Sequence, residues 1–228
     1  MSKFVSIAID GPAGAGKSTM AKAVAKDLGF IYVDTGAIYR TIGYHVALCG
    51  IGPKDVDGVS RLIDDVNIEI AYGDDGSQRM ILNGKDVTGE LRTPKMSDYA
   101  SKISAMKVVR EFLLDLQRDM ARKHNVIMDG RDIGTVVLPQ ADVKIFLTAS
   151  AEVRAKRRLD ELVAKGDKKA TFEQVLADMK ERDYRDMNRD VAPLKQAEDA
   201  VLLDTSDLTI EQSVAAIKGI VEKRMSAC

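Results

Sequence analysis

Cysteine is almost absent from this chain. Cys49 and Cys228 are the only two in 228 residues, so neither a disulfide framework nor a thiolate metal cluster can be built. An excess of one charge is missing as well. The formal net charge is −1, which argues against a general nucleic-acid binder, since phosphate backbones reward broad positive surfaces. Any handling of phosphate must therefore be local. No apolar stretch is long enough to cross a bilayer, which excludes a membrane-spanning helix. The five prolines mark no linker, and there is no internal repeat or low-complexity tract. The amino end runs straight into an apolar segment, leaving no room for a cleavable signal, and the expectation is a cytoplasmic protein. What is present is ordinary for a globular protein: 45% apolar and 30% charged residues, enough to bury a substantial core.

The most informative stretch is Gly11-Pro12-Ala13-Gly14-Ala15-Gly16-Lys17-Ser18, which fits G-x-x-x-x-G-K-[ST] at every specified position. It follows the apolar run Phe4–Ile9 and opens a helix-like run from Thr19 to Leu28, the context such a loop requires. Glycines let the backbone turn tightly and aim successive N–H groups inward at an anion. The helix N-terminus adds partial positive charge. Lys17 supplies a cation for β- and γ-phosphates, Ser18 a hydroxyl ligand for Mg²⁺, and the loop with Thr19 forms the nucleotide-binding segment.

Short apolar runs alternate with longer helical patterns, which predicts a parallel sheet covered on both faces. The candidate core strands are Phe4–Ile9, Phe30–Val33, Val126–Met128, Val143–Leu147 and Ala200–Leu203. Val108, Phe112, Leu116 and Met120 recur every four residues and predict an amphipathic helix. Thr209 and Gln212 read as a capping pair for a final helix. One segment breaks the alternation. Ile68–Tyr72 and Met80–Leu82 flank Gly73-Asp74-Asp75-Gly76, and Asn83-Gly84 is a second hairpin turn, so a small antiparallel sheet is inserted at about 62–100.

A phosphate loop says only that a nucleoside triphosphate binds. Asp34-Thr35-Gly36-Ala37-Ile38-Tyr39-Arg40 follows the second strand, at the carboxyl edge where ligands gather in open sheets. There Arg40 could clamp a second phosphate, Thr35 bond a sugar or phosphate, and Asp34 hold a metal-bound water. Asp129-Gly130-Arg131-Asp132 ends the third strand: Asp129 suits water bound to Mg²⁺, and Arg131 offers a fork for phosphate oxygens. Arg182, Arg185 and Arg189 share one helical face beside Asp183, Asp186 and Asp190. Such a face is often a solvated helix braced by ion pairs. Beside a triphosphate site it reads as a closing segment, with Lys165-Gly166-Asp167-Lys168-Lys169 as its flexible turn.

Together these pieces resemble the bacterial-type cytidylate kinases of the nucleoside monophosphate kinase family. The resemblance covers essentially the whole chain: GPAGAGKST, DTGAIYR, the β insert, YASKIS, VVREFL, DGRDIGT, KIFLTAS and KERDYRDMNR. It implies an α/β P-loop kinase fold, a single domain over 1–228 with a five-stranded parallel sheet, the acceptor-binding insert and a helical lid at about 154–192. It implies transfer of the γ-phosphoryl of ATP to CMP or dCMP with Mg²⁺, by a monomer that binds neither membrane nor nucleic acid. The positions matching Ser101, Arg110 and Asp132 would face cytosine, with Arg40 and Arg131 on the acceptor phosphate. Arg182, Asp186 and Arg189 would serve its sugar and phosphate, Thr35, Tyr39 and Asp129 would belong to the same substrate site, and Arg185 to the lid's charge cluster. Lys17, Arg131, Arg182, Arg185 and Arg189 would stabilise the moving charge. The nearest alternative is a kinase for UMP, AMP or a non-nucleotide alcohol. A GTPase-type switch would need N-K-x-D, and Asn83-Gly84-Lys85-Asp86 has the wrong order.

Overall fold

The computed structural model describes residues 4–164, 166–167 and 169–226; Lys165 and Lys168 of the expected lid turn lie outside the described residues. The chain runs β1 (Ser6–Asp10), α1 (Lys17–Leu28), β2 (Ile31–Asp34), α2 (Thr35–Leu48) and α3 (Val56–Ile63). A small sheet follows, with β3 (Ile68–Tyr72), β4 (Gln78–Leu82) and β5 (Lys85–Asp86). Then come α4 (Pro94–Ile103), α5 (Lys107–Lys123), β6 (Val126–Gly130), β7 (Val143–Thr148), α6 (Ala151–Ala164), α7 (Phe172–Asn188), β8 (Val201–Asp204) and α8 (Ile210–Met225).

The five expected core strands form one parallel sheet in the order β2-β6-β1-β7-β8. Alternation within the strands divides the core into two layers. Ile7, Ile9, Ile127 and Ile145 pack with Met20, Val24 and Ile217 from α1 and α8. Ala8, Val126 and Met128 face the other way, onto Ile38, Ile42, Val109 and Leu113 from α2 and α5. Each fully buried aliphatic side chain contributes about 1.5–3 kcal/mol. The first strand starts later than expected because Phe4 stays outside, 42% exposed and set against His124.

Register decides the site. Asp10 lies opposite Gly130, and Asp129 stands between Ile9 and Asp34, so three acidic residues end neighbouring strands at one edge. The insert is the antiparallel sheet β3-β4-β5, turning through Asn83 and Gly84, both at positive φ. It is pinned to the core by Gln78, whose amide accepts from the Asp34 N–H at 2.7 Å and donates to the Asp34 carbonyl at 3.3 Å. On α2, Gly43 lets α4 approach closely, since a Cβ there would stand 3.0 Å from that of Tyr99. The final helix carries the expected Thr209–Gln212 capping box.

Gly11 leaves β1 at φ +147°, and a Cβ there would lie 1.9 Å from the Leu147 carbonyl oxygen on β7. Gly11→Ala must therefore push two neighbouring strands apart. We expect it to cost about 2 kcal/mol or more, measured as a lower melting temperature and urea midpoint.

Candidate active site

The carboxyl edge of the sheet opens into a cleft of about 1130 Å³. One wall is the phosphate loop. Gly16 sits at the N-cap of α1 in the left-handed region, with no side-chain cap and no acidic residue in the first turn. The N–H groups that an acid normally satisfies are thus left to an external anion. Gly14, Gly16, Lys17, Ser18 and Thr19 face the cleft, as does Ala13, whereas Gly11, Pro12 and the buried Ala15 shape the loop from behind. Lys17 is buried, and its Nζ donates to the carbonyls of Gly11 and Pro12 at 2.8 Å each. Burial, with Arg131 close by, pulls its ammonium down to about 7.

Ser18 Oγ donates to Asp129 Oδ2 at 2.9 Å, and Tyr32 OH donates to Oδ1 of the same carboxylate at 2.7 Å. Burial, with Asp34 close by, raises the Asp129 carboxyl above its ordinary value. A hydroxyl and a carboxylate side by side are the hard oxygen donors that Mg²⁺ prefers, so the residues fit that ion. The other carboxylate considered for the metal, Asp34, also lines the cleft and bonds within its own segment. Its Oδ1 caps α2 through the Ala37 N–H, and its Oδ2 pairs with Arg40 at 2.9 Å. Thr35 lines the cleft as well, and its hydroxyl donates to the Asp129 carbonyl at 2.7 Å.

The opposite wall is cationic. Arg40, Arg131 and Arg182 converge on the cleft. Asp186 holds Arg131 at 3.0 Å, and although burial would raise its carboxyl, Arg131 and Arg182 keep it below the ordinary value. Arg182 is lowered to about 10 by burial and then by Arg131, and its Nε is buried without a partner, as is that of Arg40. Like charges gathered in a half-buried wall repel one another, and an anion relieves that repulsion.

Deeper in, Arg110 pairs with Asp132 Oδ2, and Arg189 Nη2 lies 3.3 Å from Asp132 Oδ1. Burial pushes the Asp132 carboxyl up against the pull of these guanidiniums. Arg110 also donates to the Ser104 carbonyl and lies over the Tyr39 ring. Ser101 Oγ, on α4, lines the cleft and is buried with no partner. Arg185 alone among the expected residues falls outside this wall: it is part-exposed and lies near Glu181 and Asp98. The expected common helical face also stops short, since α7 ends at Asn188 and Arg189 reaches Asp132 from the extended C-cap beyond it.

Sequence reasoning missed two supporting residues. Asp10 is buried and accepts the N–H groups of Ile133 and Gly134 at 2.8 and 2.7 Å, fixing the turn that carries Arg131 and Asp132. Burial raises its carboxyl to about 6. Its place directly before the phosphate loop was the available signal. Gln78, on a solvent-facing hairpin by sequence, gave none.

Residues 7–223 match the family described as cytidylate kinase. The chain belongs to the cytidylate kinase family. It is 49% identical over 218 residues to the cytidylate kinase of Carboxydothermus hydrogenoformans, covering 96% of this chain and 97% of that one. It is 51% identical over 210 residues to that of Caldicellulosiruptor saccharolyticus, covering 92% of each. A gluconokinase structure from Sinorhizobium meliloti, 14% identical, superposes with a TM-score of 0.50 over all of this chain and 97% of that one, which supports the fold alone. This cytidylate kinase family member is thus a nucleoside monophosphate kinase, an enzyme of phosphoryl transfer. Among the described residues no helix is long and apolar enough to cross a membrane.

The paired charges carry a stability consequence. Asp132→Ala leaves Arg110, 8% exposed, without its carboxylate. We expect a loss of about 3 kcal/mol or more, read from the urea midpoint.

Proposed function

We propose that the protein transfers the γ-phosphoryl group of ATP to CMP or dCMP, giving ADP and CDP or dCDP. The observation that carries this reading is the meeting of two anion sites across one cleft. One is the uncapped N-terminus of α1 with Lys17, and the other is the cluster of Arg40, Arg131 and Arg182. A single triphosphate has no use for the second site.

The base chemistry supports a cytidine acceptor. Cytosine offers an amine donor beside the N3 and O2 acceptors, which suits a carboxylate and a guanidinium standing together as Asp132 and Arg110 do. Uracil would turn O4 toward the acid and leave two acceptors opposed. Ser101, with its unpartnered hydroxyl, is available to the nucleoside, and Tyr39 braces Arg110. Asp186 and Arg189, beside the cation cluster, suit the acceptor's sugar and phosphate. Arg158, Leu208 and Ile210 also line the cleft and offer a guanidinium and apolar side chains to the adenine of ATP.

The mechanism is positioning and charge stabilisation. Loop N–H groups and Lys17 fix the donor phosphates, while Arg40 and Arg131 aim the acceptor phosphate in line. Arg182 and Arg189 complete the charge around the moving group, and Arg185 reaches from α7 toward Asp98 of α4. Mg²⁺, held by Ser18 and through water by Asp129, would neutralise charge on the β- and γ-oxygens. The acceptor is already an anion, so no strong general base is required. Closure of α7 over the cleft would keep water from taking the phosphoryl group. Every group invoked comes from one chain, so a monomer suffices, and both substrates are small nucleotides met in the cytoplasm.

Two measurements test this reading. A panel of CMP, dCMP, UMP and AMP, followed by ADP release, should favour CMP over UMP about a hundredfold or more in kcat/KM; equal use of both would remove the base assignment. Lys17→Ala should fold but turn over at least about a hundredfold more slowly, and near-normal turnover would take the phosphate loop out of the mechanism.

A further inference from the structure

Arg154, on α6, is almost fully buried, and each of its three guanidinium nitrogens serves a different element. Nε donates to the Ala149 carbonyl beyond β7 at 2.8 Å, and Nη1 to the Ala13 carbonyl of the phosphate loop at 3.0 Å. Nη2 pairs with Asp183 Oδ2 of α7 at 2.7 Å. Asp183 is buried too, and its Oδ1 has no partner. No phosphate, base or sugar role accounts for this pair.

Its placement on α7 supplies one. The buried face of that helix carries Met179, Asp183 and Asp186 at spacings of four and three. Met179 rests on Gly14, where a Cβ would stand 3.1 Å from its methyl carbon. Asp183 reaches the loop through Arg154, and Asp186 holds Arg131 on the acceptor wall. One stiff helix thus touches both anion sites within two turns. At the loop itself, Arg154 fixes the Ala13 carbonyl. In a trans peptide this sends the Gly14 N–H to the opposite side of the same plane. A phosphate that draws on that N–H therefore pulls on a group bonded to α7.

We propose that Arg154 is a positioning residue that ties the phosphate loop to α7, so that filling the donor site tightens the acceptor site. The inference rests on the two-nucleotide reading above and adds a link between its halves. Coupling of this kind is a ratio of affinities and must be reciprocal.

Calorimetry with ADP and CMP, a pair that cannot react, reads it directly. In the wild type, CMP should bind at least about fivefold more tightly when ADP is present, and ADP should gain by the same factor from CMP. Arg154→Met alone strands the Asp183 charge and should melt early. Two other variants avoid that. Arg154→Met/Asp183→Leu replaces the pair by apolar groups and should melt close to wild type, and Arg154→Lys keeps the charge without the fork that reaches two partners. In both, the coupling factor should fall toward one. A role limited to stability would shift melting and leave the factor intact. A wild-type factor of one, or the wild-type factor surviving in either folded variant, overturns the proposal. Wild type that binds neither nucleotide would sink the functional reading and this link with it.

Discussion

The structure depends on holding several guanidiniums together in one cleft without their mutual repulsion opening it. Three are tethered by carboxylates, Arg40 by Asp34 of its own segment, Arg110 by Asp132 and Arg131 by Asp186, while Asp183 holds Arg154, which bonds the phosphate loop. Burial makes these pairs costly to form and costlier to break singly. What they provide is geometry, since a fork held on one side presents its remaining N–H groups in a fixed direction. Arg182 has no such carboxylate in hydrogen-bond range among the described residues, and burial, then Arg131, lowers its guanidinium to about 10.

The parallel sheet supplies the frame for this arrangement. Its register sets Asp129 between Ile9 and Asp34, so the Asp129 carboxylate, the phosphate loop and the Arg40 helix leave adjacent strands. The antiparallel insert then acts on the site through one side chain. Gln78 brackets the backbone of Asp34, the residue that caps α2 and holds Arg40. The inserted sheet is thereby joined to the cationic wall of the cleft. On the other side, α7 reaches both the phosphate loop, through Met179 and the Asp183–Arg154 pair, and Arg131 of the cationic wall.

Much of this was legible in the chain. The phosphate loop, the five strands, the hairpins and the capping box all rest on local patterns of glycine, apolar period and short-range hydrogen bonding, which need no distant partner. The candidate residues were mostly brought together as expected, because strand ends and loop motifs mark the carboxyl edge. Three side chains show what local reading leaves open. Thr35 and Asp34 line the cleft and also bond protein partners there, whereas Arg185 lies outside it beside Glu181 and Asp98. A side chain's type states its capacity, and only its neighbours decide how that capacity is used.

By itself, then, the sequence determined where the phosphate loop, the strands and the charged helix lie along the chain, since those follow from spacing over a few residues. It also determined the chemistry on offer, namely hydroxyls, carboxylates and guanidiniums with only two thiols. Tertiary structure alone decided which carboxylate meets which arginine, because partners such as Asp132 and Arg189 or Ala13 and Arg154 lie 57 and 141 residues apart. Their meeting depends on sheet register and on how helices pack across it, and no local pattern encodes contacts at that range.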